Sequence, residues 1–133
     1  MKAQIAKQLA IFLANKPGTL ADVCETLAKA GVNIFALSIS DTVDHAVVRL
    51  VCSDPRLALN IFEERGTLVV DQDVLMIEAG NKPGALAQIA RRMANHKVNI
   101  EYAYCASGPK AKTGLVVLRP ADIKRGLKAL NGR

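Results

Sequence analysis

Tryptophan is absent from the 133 residues, and only two Tyr and three Phe supply aromatic surface. The runs expected to form the third strand of each repeat, Ala46–Val51 and Gly114–Leu118, carry no aromatic at all. That speaks against an RNA-recognition sheet, which stacks bases on such side chains. Three cysteines, Cys24, Cys52 and Cys105, are odd in number and widely spaced, without a Cys-x-x-Cys. A disulfide framework, a zinc site or a metal carrier is excluded on that count, and a reducing cytoplasm is expected. No run reaches the ~18 apolar residues of a membrane span. Lys2 and Lys7 ahead of Leu9–Ala14 outline an export signal, but six apolar residues are short for its core. There is no Ser–His–Asp set, no carboxylate cluster and no phosphate loop, and His45 and His96 lie far apart. No catalytic residue, cofactor or metal is therefore expected.

Half the residues are apolar and 23% are charged, a globular composition sized for one domain or two very small ones. Charge is unevenly placed. Residues 1–66 hold seven Lys/Arg and seven Asp/Glu, whereas residues 67–133 hold eleven and five, so the whole net charge of +6 sits in the second half.

The chain repeats itself. Asn15-Lys16-Pro17-Gly18-Thr19-Leu20-Ala21 recurs as Asn81-Lys82-Pro83-Gly84-Ala85-Leu86-Ala87, an offset of 81 − 15 = 66. Val32-Asn33-Ile34 recurs as Val98-Asn99-Ile100 at the same offset. Two matches in one register identify two copies of a single unit. In each copy an apolar run (Gln8–Ala14, Val74–Ala79) ends at the Pro-Gly motif and reads as a strand. Apolar residues then take helical spacing: Leu20, Val23, Cys24, Leu27 and Ala28, and Leu86, Ile89, Ala90, Met93 and Ala94. Further strands are expected at 33–40 and 46–52, and at 99–106 and 114–119. Asp54-Pro55 opens a second helix as cap and first-turn proline, and 67–70 gives a fourth strand. Asp71-Gln72-Asp73 then reads as a turn into the second copy.

The order strand, helix, strand, strand, helix, strand is the ferredoxin-like βαββαβ unit, an α+β fold with helices on one face of an antiparallel sheet. The units are expected at residues 1–72 and 73–133. The second copy reaches a helix near Asp122–Leu130 with no residues left for its own last strand, so an open edge is expected along Val74–Ala79, or along the first copy's strand if Thr67–Val70 fills that slot instead. Closing it against a second copy predicts a homodimer of about 28 kDa, twice 14.2 kDa.

The Asn-Lys-Pro-Gly motif joins a strand to a helix, where backbone N–H groups and the helix dipole favour a carboxylate or phosphate. As a single occurrence it is simply a good turn and helix start; its retention in both copies adds weight to a binding role. Asn33 and Asn99, each opening a second strand, are either turn residues or the other half of a polar clamp for an ammonium and a carboxylate.

A strand entering Asn-Lys-Pro-Gly-x-Leu, then a helix, then Val-Asn-Ile resembles the ACT domain, the amino-acid-binding module that regulates enzymes such as phosphoglycerate dehydrogenase and aspartate kinase. The resemblance covers nearly the whole chain twice, as in stand-alone tandem ACT proteins. It departs where Lys97 replaces Gly31. It implies effector binding between two ACT units. By position the residues are Asn15, Gly18, Thr19, Leu20, Asn33 and Ile34, with Asn81, Gly84, Ala85, Leu86, Asn99 and Ile100. It also implies a non-catalytic regulator that senses a free L-amino acid and acts on a separate partner protein, with no nucleic acid or membrane involved. The competing readings are a basic nucleic-acid-binding module and a small enzyme.

Overall fold

The computed structural model describes residues 2–41 and 44–132. Six strands and four helices alternate as β1 (Lys2–Ala14), α1 (Thr19–Lys29), β2 (Ile34–Asp41), β3 (His45–Cys52), α2 (Pro55–Glu64), β4 (Val69–Gly80), α3 (Ala85–Asn95), β5 (Ile100–Ala106), β6 (Thr113–Pro120) and α4 (Ile123–Asn131). The strand order is β2-β3-β1-β4-β6-β5. β3 pairs antiparallel with β1 and β2, and β6 does so with β4 and β5. This is the α+β, tandem ferredoxin-like architecture expected from the repeat. The chain gathers into two compact units: Lys7–Gln72, and Asp73 onward together with the N-terminal stretch ending at Ala6.

Two expectations change. Asp71-Gln72-Asp73 does not turn the chain, because β4 runs unbroken through it for 12 residues. Nor does β1 begin at Gln8; it begins at Lys2 and spans 13 residues. Each long strand therefore serves both units. Lys7–Ala14 opens the first unit, and residues 69–72 close it. Residues 73–80 open the second unit, and Lys2–Ala6 of β1 belong to it beside β4. β4 is consequently flanked by β1 and β6, so the open edge expected along Val74–Ala79 is covered from within the chain. Residues 2–6 group with the second unit, whereas the sequence division placed them in the first.

In the first unit the inward positions alternate as a strand requires. Leu9 and Ile11 of β1 and Val48 and Leu50 of β3 face Val23 and Leu27 of α1 and Ala58 and Phe62 of α2. Leu9 pairs with Leu50 and Ile11 with Val48. The second unit repeats this with Leu75, Ile77, Val116 and Leu118 against Ile89, Met93, Ala129 and Leu130, and Ala3 joins that core. Gly126 of α4 lies so close to β6 that an added Cβ would fall 2.9 Å from Pro120 Cγ and 3.2 Å from Leu75 Cδ1.

Candidate functional site

The two Pro-Gly loops adopt the same conformation. Gly18 (φ 92°) and Gly84 (φ 88°) precede α1 and α3 in the left-handed region, where glycine carries no steric penalty. Neither helix start has a side-chain cap. By contrast, Asp54 caps α2 by accepting from Leu57 N–H, and Asp122 caps α4 by accepting from Arg125 N–H, both at 3.1 Å. The two helices that begin with the repeated motif are thus the two whose first-turn N–H groups lack a side-chain acceptor. The Thr19 hydroxyl turns back into the loop, 3.1 Å from both Ala14 O and Lys16 O. Thr19 also lines a small cavity of about 190 Å³ with Leu13, Val23 and Arg65. Leu20 packs on the first core, while Leu86 is half exposed.

Asn33 and Asn99 lie elsewhere. Asn33 N–H donates to Ser53 Oγ and Ser53 N–H donates to Asn33 O, both at 2.9 Å, which fixes Asn33 beside the last residue of β3. Asn15 N–H donates to Asp44 O (3.2 Å), beside the first residue of β3. Eight residues of β3 separate the two ends, roughly 25 Å at strand rise. The second unit is the same: Asn81 N–H donates to Lys112 O before β6, and Ala121 N–H donates to Asn99 O after it, both at 2.9 Å. The loop set and the Asn33/Ile34 or Asn99/Ile100 set therefore occupy opposite ends of each unit. Ile34 and Ile100 are half-buried against their own cores. A clamp using both sets needs more than one unit.

Asn81, expected among the ligand-binding residues, has a structural task in its own unit. Its side-chain amide donates to Gly108 O (2.9 Å) and Ala111 O (2.8 Å), so both of its hydrogens hold the β5–β6 hairpin. That hairpin walls a cavity of about 630 Å³ lined by Lys2, Met76, Glu78, Ser107, Thr113 and Leu115, among others. The Thr113 hydroxyl donates to Glu78 Oε1 (3.2 Å). Sequence reasoning missed this cavity. Its one sequence signal is a carboxylate at Glu78, where the pairing register of the first unit has Phe12: Glu78 lies opposite Leu115, and Phe12 opposite Val47.

Among the described residues, no three His, Cys, Asp or Glu side chains gather as a metal site, and no helix is long and apolar enough to cross a membrane. His96 caps the C-terminus of α3 with Nδ1 2.9 Å from Arg92 O. Burial pushes the Cys52 thiol above its ordinary range.

The sequence matches the family described as ACT domain pair over residues 4–129. The chain belongs to that family. No curated protein matches it. Among solved structures, this ACT domain pair is similar to protein BT0572 from Bacteroides thetaiotaomicron, with 37% identity and a TM-score of 0.89, covering 96% of this chain and 88% of that one. It shares its fold with the ligand-free regulatory subunit of aspartate kinase from Thermus thermophilus, at 18% identity and TM-score 0.70, over 96% and 93% of the two chains. The same holds for the regulatory subunit of aspartate kinase from Thermus flavus, at 17% identity and TM-score 0.64, over 98% and 95%.

Proposed function

We propose that this ACT domain pair is a non-catalytic regulatory protein that binds a free L-amino acid and passes the bound state to a separate partner protein. The observation that carries the reading is the pair of uncapped helix starts behind Gly18 and Gly84. Two positive helix ends without a side-chain cap suit a carboxylate. The asparagine sets at Asn33 and Asn99 supply acceptors and donors for an ammonium and a carboxylate. Because each unit separates its loop from its asparagine, the effector site is completed by a further ACT unit, and the protein works as a homodimer. Its membership of the ACT domain pair family, and a fold held in common with proteins named as regulatory subunits of aspartate kinase, support the regulatory role.

A thermal-shift screen of the proteinogenic amino acids tests this. One of them at 100 times its Kd adds ~2.7 kcal/mol, which raises Tm by several degrees in a protein of this size. Asn33→Ala then weakens that response while the ligand-free Tm stays near wild type. Silence from every amino acid, together with stabilisation by RNA or a divalent metal, overturns the reading.

A further inference from the structure

The 630 Å³ cavity of the second unit belongs to neither the Pro-Gly loops nor the asparagine ends. It lies on the sheet face turned away from the helices: Leu75, Ile77 and Ala3 point into the helix-covered core, so their strand neighbours Met76, Glu78 and Lys2 face the other way. All three line the cavity. Its size falls within the range of small-molecule pockets.

Its wall is chemically mixed in a specific way. Lys2 supplies an ammonium and Glu78 a carboxylate; Ser107 and Thr113 supply hydroxyls; Met76 and Leu115 supply apolar floor. The first unit differs at three of these positions. At the positions of Met76, Glu78 and Leu115 in the pairing register it carries Ala10, Phe12 and Val47, all apolar. The hairpin over the cavity is also built for closeness. A Cβ at Gly114 would fall 1.8 Å from Ser107 Oγ and 2.9 Å from Ala106 O, so only glycine lets the Ser107 hydroxyl lie against β6. Asn81 holds the far side of the same hairpin through Gly108 O and Ala111 O. A positioned hydroxyl, an acid and a base around an apolar floor complement a molecule that carries a carboxylate, an amine and an apolar side chain.

From this geometry we infer that the helix-free face of the second unit holds a second amino-acid site, with Lys2 receiving the carboxylate and Glu78 the ammonium. It takes one ligand per chain, because the first unit has Phe12 where the ammonium-binding Glu78 stands. The inference uses different residues from the proposed interface site and shares with it only the class of ligand.

The test is a ¹H–¹⁵N NMR titration of the full-length protein with single L-amino acids, alongside Lys2→Gln and Glu78→Gln. Both side chains are exposed, and Gln keeps the acceptor for Thr113, so melting curves should match wild type. The expected result is movement of the Gly108 and Gly114 amides, weakened roughly 10- to 100-fold in each variant, the loss of one charge-assisted hydrogen bond. The N-acetyl derivative of the same amino acid should fail to move those amides in wild type, since it offers Glu78 no ammonium. Shifts confined to Gly18, Gly84, Asn33 and Asn99 overturn this site and leave the proposed function standing. Movement at the cavity alone supports the site and removes the interface reading. No response at either place, or cavity shifts unaltered by both substitutions, overturns the inference.

Discussion

Asn131, the last residue of α4, and Ala3 of β1 exchange two hydrogen bonds: Ala3 N–H donates to Asn131 Oδ1 at 3.1 Å, and Asn131 Nδ2 donates to Ala3 O at 2.9 Å. A side-chain amide has the same donor–acceptor pair as a peptide group, so Asn131 reads the backbone of β1 as a neighbouring strand would. The Ala3 side chain meanwhile enters the core with Leu75 and Leu130. These contacts fasten the borrowed strand into the second unit.

Removing that fastening should destabilise the second unit. Asn131→Ala loses two part-buried hydrogen bonds, a cost of about 1–3 kcal/mol. Deleting residues 2–6 should cost more, since it also exposes the edge of β4. Hydrogen exchange is the measurement: amides of β6 and α4 should lose protection, while those of β3 and α2 keep it.

Lys97 sits at φ 57°, where the first unit has Gly31 at φ 75°. Both positions close a helix with the same pair of bonds: Gly31 N–H to Ala28 O and Val32 N–H to Leu27 O, against Lys97 N–H to Ala94 O and Val98 N–H to Met93 O. A side chain there is strained by ~1–2 kcal/mol, of which glycine's greater unfolded-state freedom takes back a part. Lys97→Gly should therefore raise stability by about 0.5–1 kcal/mol, read as a rise in Tm of a few degrees.

Gly126 should tolerate no enlargement. The nearest atoms to an added Cβ belong to the stiff ring of Pro120 and to buried Leu75. Gly126→Ala should improve helix propensity and still lower stability by about 1–3 kcal/mol, because overpacking dominates. Urea denaturation would show it as a lower midpoint.

Thiol labelling should be ordered by burial. Cys105 is exposed, Cys24 half-buried and Cys52 buried. Burial and the nearby charge of Asp54 raise the Cys52 thiol, while a hydrogen bond from the Asp54 backbone opposes them; burial is the largest influence. Less thiolate is available there at any given pH. Iodoacetamide near pH 8 should modify Cys105 first and Cys52 last, with Cys52 gaining rate as pH rises or the unit unfolds. Peptide mass mapping over time checks the order.

The repeat carried most of the fold into view. Two copies of Asn-Lys-Pro-Gly and Val-Asn-Ile at one offset define the helices, and the caps Asp54 and Asp122 stand where their residue types favour them. Asp71-Gln72-Asp73 misled for a physical reason. Its composition suits a turn, but pairing along both halves of β1 holds it extended, and local propensity cannot register a partner some 65 residues away. The candidate site was legible as a list of positions and not as a place. Spacing shows that Asn15 and Asn33 flank one helix; only the crossover from β1 to β2 shows that they sit at opposite ends of the unit. The Lys2 and Glu78 cavity needs that same borrowed strand, so no stretch of sequence could display it.

The chain's first residues and its last helix belong to one unit, with the whole of Lys7–Gln72 inserted between them. On the ribosome this imposes an order of events. The inserted unit is complete once residue 72 has emerged and can fold at once, as domains generally do during synthesis. The segment ahead of it must then wait, solvent-exposed, while some sixty more residues are made, a delay on the order of several seconds at ~5–20 residues per second. Ile5, 45% exposed even in the finished protein, spends that interval in the unpaired segment Lys2–Ala6. A nascent-chain chaperone that binds short apolar segments would meet this protein at Lys2–Ala6, before the second half exists to claim it.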